Sequence, residues 1–230
     1  MSRRCTGFGL IELMVAMTLG LVISLSLTQM LISSKDTYLS QTASANLQED
    51  ARFVLNKMAQ DVRMVGTFGC LASVTDLSDN NDFAAVFKAP ITWHPGARTL
   101  TLITARVEKL QGEPTWTVQT DCSSSAEAYS HRKGAGELSF PLHQQTYAYN
   151  ARRAELTLNN RALISHVSDF NVLFGVATGP FEPSIGRYVE NPGDPGLIRS
   201  VRISLTLADP TDRVKEQSFS VVSALRNRIP

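Results

Sequence analysis

The sequence predicts an α+β fold in which a long N-terminal α-helix packs on an antiparallel β-sheet domain. Three observations predict it. An uncharged apolar run lies near the start, an apolar stripe at helical spacing follows it, and the rest of the chain reads as short β-rich segments. The 230 residues include 43% apolar and 19% charged side chains, with a formal net charge of +1. Such a composition buries a core and excludes a disordered, highly charged tail. Near-neutral charge argues against a direct nucleic-acid binder, which carries a basic excess.

The first element is the run Leu13–Ser34, 22 residues without a formal charge. As a helix it reaches roughly 33 Å, enough to cross a hydrocarbon layer of about 30 Å. Arg3 and Arg4 precede it and Lys35 and Asp36 follow. The positive-inside bias then places the N-terminus in the cytoplasm and residues 36–230 across the membrane. A cleaved secretory signal has a shorter apolar core and a small-x-small site, which the flank Leu31–Lys35 lacks. A lipoprotein signal fails because Cys5 comes before the run. A plain uncleaved anchor remains, but it leaves Glu12 without a purpose.

Glu12 stands among Phe8, Leu10, Ile11, Leu13, Met14 and Val15. A carboxylate in a membrane segment costs roughly 2.5–3.5 kcal/mol on insertion scales, so it needs a partner. A cut between Gly7 and Phe8 would leave a new α-amino group four residues before Glu12. Residues four apart share a helix face, and the positive helix N-terminus also favours a carboxylate.

The second element is the stripe Leu47, Ala51, Val54, Leu55, Met58, Val62 and Val65, whose spacing is one face of a helix. Glu49, Asp50, Arg52, Lys57, Asp61 and Arg63 lie mostly off that face, and Gly66 supplies a stop. With no proline before Pro90, one helix from about residue 8 to 65 is expected; the alternative is two helices broken near Ser33-Ser34.

Beyond Gly66 the pattern changes. Residues 71–96 read as irregular, and Thr99–Val107, Thr115–Gln119 and Leu138–Leu142 as strands. Tyr147–Tyr149 and Glu155–Leu158 flank a turn at Asn150-Ala151-Arg152-Arg153, while Ala162–Ala177 holds one or two strands. Thr178–Gly196, rich in Gly and Pro, reads as a long loop, and Ile198–Leu207 pairs with Gln217–Leu225. Strands without helices between them form antiparallel sheets.

The stretch Arg3-Arg4-Cys5-Thr6-Gly7-Phe8-Gly9-Leu10-Ile11-Glu12-Leu13 resembles the class III leader and methylation site of type IV pilins and type II secretion pseudopilins. The resemblance implies a pilin-like fold. It also implies that a prepilin peptidase cuts after Gly7 and methylates Phe8, and that Glu12 docks the subunit into a filament. Gly9 departs from the pattern, since many members have Thr or Ser there. The implied organisation is a leader at 1–7, a membrane half of the helix at 8–34, an amphipathic half at 35–66 and a periplasmic or extracellular β-rich domain at 67–230.

The helix end Asp61–Cys70 and the segment Val222–Arg228 resemble the PilW type of minor pilin, which is similar to the J-type minor pseudopilin. No motif covers residues 71–195. The resemblance implies a minor pilin of the tip or priming complex of a type IV pilus, and the length suits a minor rather than a major pilin. Its partners would be prepilin peptidase, other minor pilins, the major pilin, a large tip adhesin and the inner membrane. The location would be the inner membrane before processing and the pilus afterwards. The alternatives are a J-type pseudopilin or, in another class, a membrane-anchored periplasmic binding domain.

Cleavage would remove Cys5 and leave Cys70 and Cys122 in an oxidising compartment, where two cysteines favour one bridge. The alternative is two unpaired buried thiols. His94, His131, His143 and His166 show no ligand-like spacing. Asp76–Asp82 is an acidic run without the Gly and terminal Glu of an EF-hand loop, and reads as a solvated loop. Arg152-Arg153 and Arg226/Arg228 read as solvated surface. The chain has no G-x-S-x-G elbow, H-E-x-x-H, P-loop or G-x-G-x-x-G. A non-enzymatic protein without metal or cofactor is expected.

Co-expression with a prepilin peptidase is expected to shorten the chain by the seven residues Met1–Gly7 and add one methyl at Phe8. Loss of Arg3 and Arg4 moves the net charge from +1 to −1. Intact mass and N-terminal sequencing check this; only full-length product beside a peptidase active on another pilin would contradict it.

Overall fold

The computed structural model describes residues 9–70, 73–105, 113–131 and 138–225. Helix α1 runs from Leu10 to Arg63 without the break considered at Ser33-Ser34. The chain divides into two units, 1–46 and 47–230.

In the first unit the helix is long and apolar enough to cross a membrane, and its apolar window is not buried within the protein. Several of its hydroxyls are bonded back to its own backbone. Thr18 donates to the Val15 carbonyl at 2.9 Å, Ser26 to Val22 at 2.9 Å and Thr28 to Ser24 at 2.8 Å. A polar side chain bonded back to its own helix presents no unsatisfied group to hydrocarbon.

In the second unit α1 becomes one-faced. Leu47, Ala51, Val54, Leu55, Met58 and Val62 are all buried, as the spacing predicts, and Val65 continues the stripe just past the helix. Arg63 lies in the last turn, where a cation suits the helix dipole. Gly66, with φ of 78°, turns the chain away in the left-handed region that glycine adopts without strain.

Among the described residues twelve strands, one short α-helix and a 3-10 turn at Pro195–Leu197 follow: β1 (Thr75–Asp76), α2 (Phe83–Lys88), β2 (Ile91–His94), β3 (Thr99–Ala105), β4 (Trp116–Thr120), β5 (Ala126–Ser130), β6 (Leu138–Asn150), β7 (Glu155–Leu158), β8 (Arg161–Ser165), β9 (Val167–Ala177), β10 (Ile185–Val189), β11 (Ile198–Leu207) and β12 (Gln217–Ala224). The first sheet has the order β1-β5-β4-β6-β3-β2, with β7 on β6 and β8 on β7. The second has the order β10-β9-β11-β12. All pairs are antiparallel except β1 with β5.

The helix stripe, Trp93, Leu100 and Leu102 of the first sheet, and Phe170, Val172, Ile203 and Leu205 of the second share one core. A smaller core under α2 gathers Phe68, Phe83, Trp116, Val118 and Leu142. The Phe68 and Phe83 rings meet edge-on at 5.6 Å, an arrangement aromatic quadrupoles favour.

Several local readings hold. Asn150 Oδ1 accepts from the Arg152 and Arg153 amides and shapes the β6–β7 turn. Strands β11 and β12 pair from Ser200↔Ala224 to Leu207↔Gln217. Two stretches differ from expectation. Residues 71–96 were expected to be irregular, yet they hold β1, α2 and β2, because Phe83 is drawn into the smaller core and Ile91 and Trp93 into the larger. The expected loop Thr178–Gly196 contains β10, which pairs with β9. Strand β5, which was not anticipated, follows the serines at 123–125 and buries Ala126 and Ala128 on one face. The segment Ala162–Ala177 holds two strands in different sheets, parted at His166, whose φ is 61°.

The helix carries one buried charge. Asp61 is 3% exposed and accepts from the Tyr147 hydroxyl at 2.5 Å and from Lys57 Nζ at 2.7 Å. A carboxylate at this depth requires such partners. Tyr147→Phe is expected to lower the unfolding free energy of the β-rich unit by about 1–3 kcal/mol by removing a donor from a buried acceptor. The cost should be smaller in an Asp61→Ala background. Denaturant unfolding of the full chain in micelles checks both, and an unchanged midpoint for Tyr147→Phe would contradict them.

Candidate processing and docking site

Glu12 sits in the first turn of α1, two residues after the helix begins. The Gly9 carbonyl accepts from the Leu13 amide at 3.3 Å, which makes Gly9 the N-cap and Glu12 the third helical residue. Glu12 Oε2 accepts from the Gly9 amide at 3.3 Å. This is one arm of a capping box, in which the third residue reaches back to the N-cap amide. The other arm needs a hydroxyl at the N-cap, and Gly9 has none. Around this carboxylate Leu10, Ile11, Leu13, Met14 and Val15 are all exposed. An acidic group therefore stands at the positive end of a helix within an apolar surface. Gly7 and Phe8 lie outside the described residues.

The second predicted pair is brought together. Cys70 and Cys122, 52 residues apart in sequence, form a disulfide with a Cα–Cα distance of 5.4 Å. Gly69 precedes it with φ of 122°, which a side chain would strain. Cys122, with φ of 58°, is held by its neighbours. The Asp121 carboxylate accepts from Ser124 Oγ at 2.5 Å and from the amides of Ser123, Ser124 and Ser125 at 2.8–2.9 Å. The Ser124 hydroxyl and these amides hold the Asp121 carboxyl well below the usual range. Its contribution is therefore present above the ordinary carboxylate pKa and is lost as pH falls through the depressed one. The bridge ties the chain just after the helix to the end of β4.

The acidic run 76–82 is used by the fold. Asp76 accepts from Ser78 Oγ, the Ser78 amide and the Ala84 amide. Burial works against the charged form of Asp76, but these hydrogen bonds outweigh it and lower its pKa. Asp82 accepts from Trp116 Nε1 at 2.8 Å. Among the described residues no group of three or more His, Cys, Asp or Glu side chains could hold a metal ion. Arg153 faces Glu155 at 3.4 Å on the surface, and Arg226 and Arg228 lie outside the described residues.

Sequence reasoning placed Asp61 among the charged residues off the stripe, although it is buried, and it did not single out Arg199, which is buried in β11. A signal for Arg199 was present: Ile198 and Val201 are both core residues three apart, which breaks strand alternation.

Residues 2–28 match the family model described as the prokaryotic N-terminal methylation motif. No curated protein matches the chain. The prepilin-type motif supports a type IV pilin-like or pseudopilin protein. It implies processing by a prepilin peptidase and association with pilus or secretion components. Together with the apolar helix it fits a single-pass inner-membrane anchor that later assembles into the pilus.

Non-reducing peptide mapping of exported protein is expected to recover Cys70 joined to Cys122. Cys70→Ser should cost about 2–5 kcal/mol in the β-rich unit without altering leader cleavage. Both thiols freely alkylated, or an unchanged stability, would contradict this.

Proposed function

We propose that the chain is a minor pilin that enters the tip or priming complex and promotes assembly of a type IV pilus. The single observation that carries this reading is Glu12. It is a lone carboxylate at the head of an apolar helix, inside a methylation motif, with Gly9 as its hydrogen-bond donor among the described residues. In this reading the leader is 1–7 and the membrane half of the helix is 8–34. The amphipathic half is 35–66, and 67–230 is the head domain. Cleavage after Gly7 frees the Phe8 amine, which is then methylated.

The docking chemistry follows from charge in hydrocarbon. An ion pair there is favoured strongly over two separated charges, because each charge left alone carries its own desolvation cost. The Phe8 ammonium of the same or an incoming subunit is the partner of Glu12. A neutral residue at position 12 would still insert into the membrane but would give the incoming amine nothing to meet. The β-rich head packs on the helix stripe from Leu47 to Val65 and carries a disulfide, so it folds without Glu12, and in this reading it also recruits the subunit in part.

A J-type pseudopilin of a secretion pseudopilus is the second reading, because the PilW type that Asp61–Cys70 and Val222–Arg228 resemble is itself similar to the J-type. Recovery of the mature protein from sheared pili, or instead from a secretion pseudopilus, separates the two.

Glu12→Ala is expected to leave cleavage largely intact and the unfolding midpoint of the β-rich unit unchanged. It should reduce incorporation into sheared pili, or the number of pili, partially rather than completely. Quantitative immunoblotting of pilus fractions checks this. Normal piliation with normal incorporation would sink the docking role and favour an uncut anchor.

A further inference from the structure

The connection between β9 and β10 presents an aromatic side chain to water on a backbone turn that is held in place. Phe181 is 85% exposed. It sits in Gly179-Pro180-Phe181-Glu182, where the Glu182 amide donates to the Gly179 carbonyl at 3.3 Å and closes a tight turn. Pro180 occupies the second position of that turn, where its fixed φ is already the one required.

Arg199 locks the turn. Its side chain leaves the core because β11 carries a bulge: Ile198 pairs with Val176 and Ser200 with Gly175, so Arg199 is the extra residue. Only 3% exposed, it donates from Nη2 to the Pro180 carbonyl at 2.7 Å and from Nε to the Glu182 carbonyl at 3.0 Å. One guanidinium thus holds the carbonyls on both sides of Phe181. Nη1 reaches the Gly196 carbonyl at 2.8 Å and ties the turn to the segment before β11. These partners are carbonyls, and no carboxylate neutralises the charge among the described residues. Burying a cation this way is costly, and what it rigidifies is a surface turn bearing an exposed phenylalanine. A turn whose backbone is already held loses little backbone freedom on binding, which suits an aromatic interface anchor.

The base of the same hairpin borders a pocket of about 500 Å³. Its apolar lining comes from Val176, Val189, Pro192 and Leu197; Arg187 and Asp194 are its charged lining, and Asp194 is already engaged by the Gly196 amide at 2.7 Å. Phe181 does not enter its own pocket. Arg187 has no hydrogen-bond or ion-pair partner among the described residues, and neither does the Glu182 carboxylate. An aromatic knob with an unpaired carboxylate beside it, and a partly apolar pocket whose one charged lining group without a partner among the described residues is the Arg187 guanidinium, therefore both belong to the β9–β11 connections.

We infer that this end of the second sheet is a self-recognition surface: Phe181 of one copy fills the pocket of a second copy, and Glu182 pairs with Arg187 of that copy. Such a contact is self-complementary in both shape and charge, so reciprocal exchange closes a pair. It is independent of the reading of the N-terminus.

The test uses the full chain in detergent micelles with p-benzoylphenylalanine in place of Phe181. Irradiation of two differently tagged copies should yield a cross-linked pair, with the attachment mapped to residues 176–197 of the other copy. By sedimentation, Phe181→Ser and Arg187→Glu should each weaken association by about tenfold or more, with unchanged circular dichroism. Combining Glu182→Arg with Arg187→Glu should restore it. Association that survives both single variants would place the contact in the membrane helix and overturn the inference. So would a chain monomeric at all concentrations, or cross-links to detergent or to a different protein only.

Discussion

The apolar stripe that α1 presents from Leu47 to Val62 is the constraint around which the β-rich unit is organised. A one-faced helix must bury that face, and two sheets converge to do it. Trp93 and Leu100 come from one sheet, and Phe170, Ile203 and Leu205 from the other. The last strand closes on the same helix, where Ser223 Oγ donates to the Ala59 carbonyl at 3.1 Å in the interior. Excluding water from the stripe also strips solvent from Asp61. Its charge is then tolerable only because Tyr147 and Lys57 are brought to it.

The helix ends where this packing ends, and the chain must then be redirected and held. Val65 bridges to Thr104, Gly66 and Gly69 turn the backbone through positive φ, and the Cys70–Cys122 bridge secures the result. The ring of serine donors around Asp121 keeps the far cysteine in a backbone conformation that a non-glycine residue rarely adopts. A second core forms beyond the bridge, roofed by α2.

The first half of α1 obeys the opposite rule. Its run Leu13–Ser34 carries no formal charge, Thr18, Ser26 and Thr28 are turned onto its own carbonyls, and Glu12 is the acidic residue in its first turn. A helix that is apolar all round is stable in lipid and a one-faced helix is stable on a core. One continuous element can therefore carry both, the uncharged run ending at Ser34 and the one-faced stripe beginning at Leu47, with the polar stretch Lys35–Asn46 between them.

The sequence by itself determined the elements whose signal is local. The length and hydropathy of the first helix, its stripe, the Gly66 stop, the Asn150 turn and the β11–β12 hairpin all follow from spacing and turn chemistry. The methylation motif at residues 2–28 was legible for the same reason, since it is a short continuous stretch of chain. Only the tertiary structure decided how β6 serves three neighbours, that β8 and β9 belong to different sheets, and that β1 adds in parallel. It also decided that 71–96 and 178–196 hold ordered elements. These segments are short and polar in composition, so their conformation comes from partners distant in sequence: Phe83 from the smaller core, β10 from the edge of β9. Asp61 and Arg199 were hidden for a related reason. Both are charged residues made safe by hydroxyls and carbonyls that the fold brings from elsewhere, and no local pattern records a partner 86 residues away.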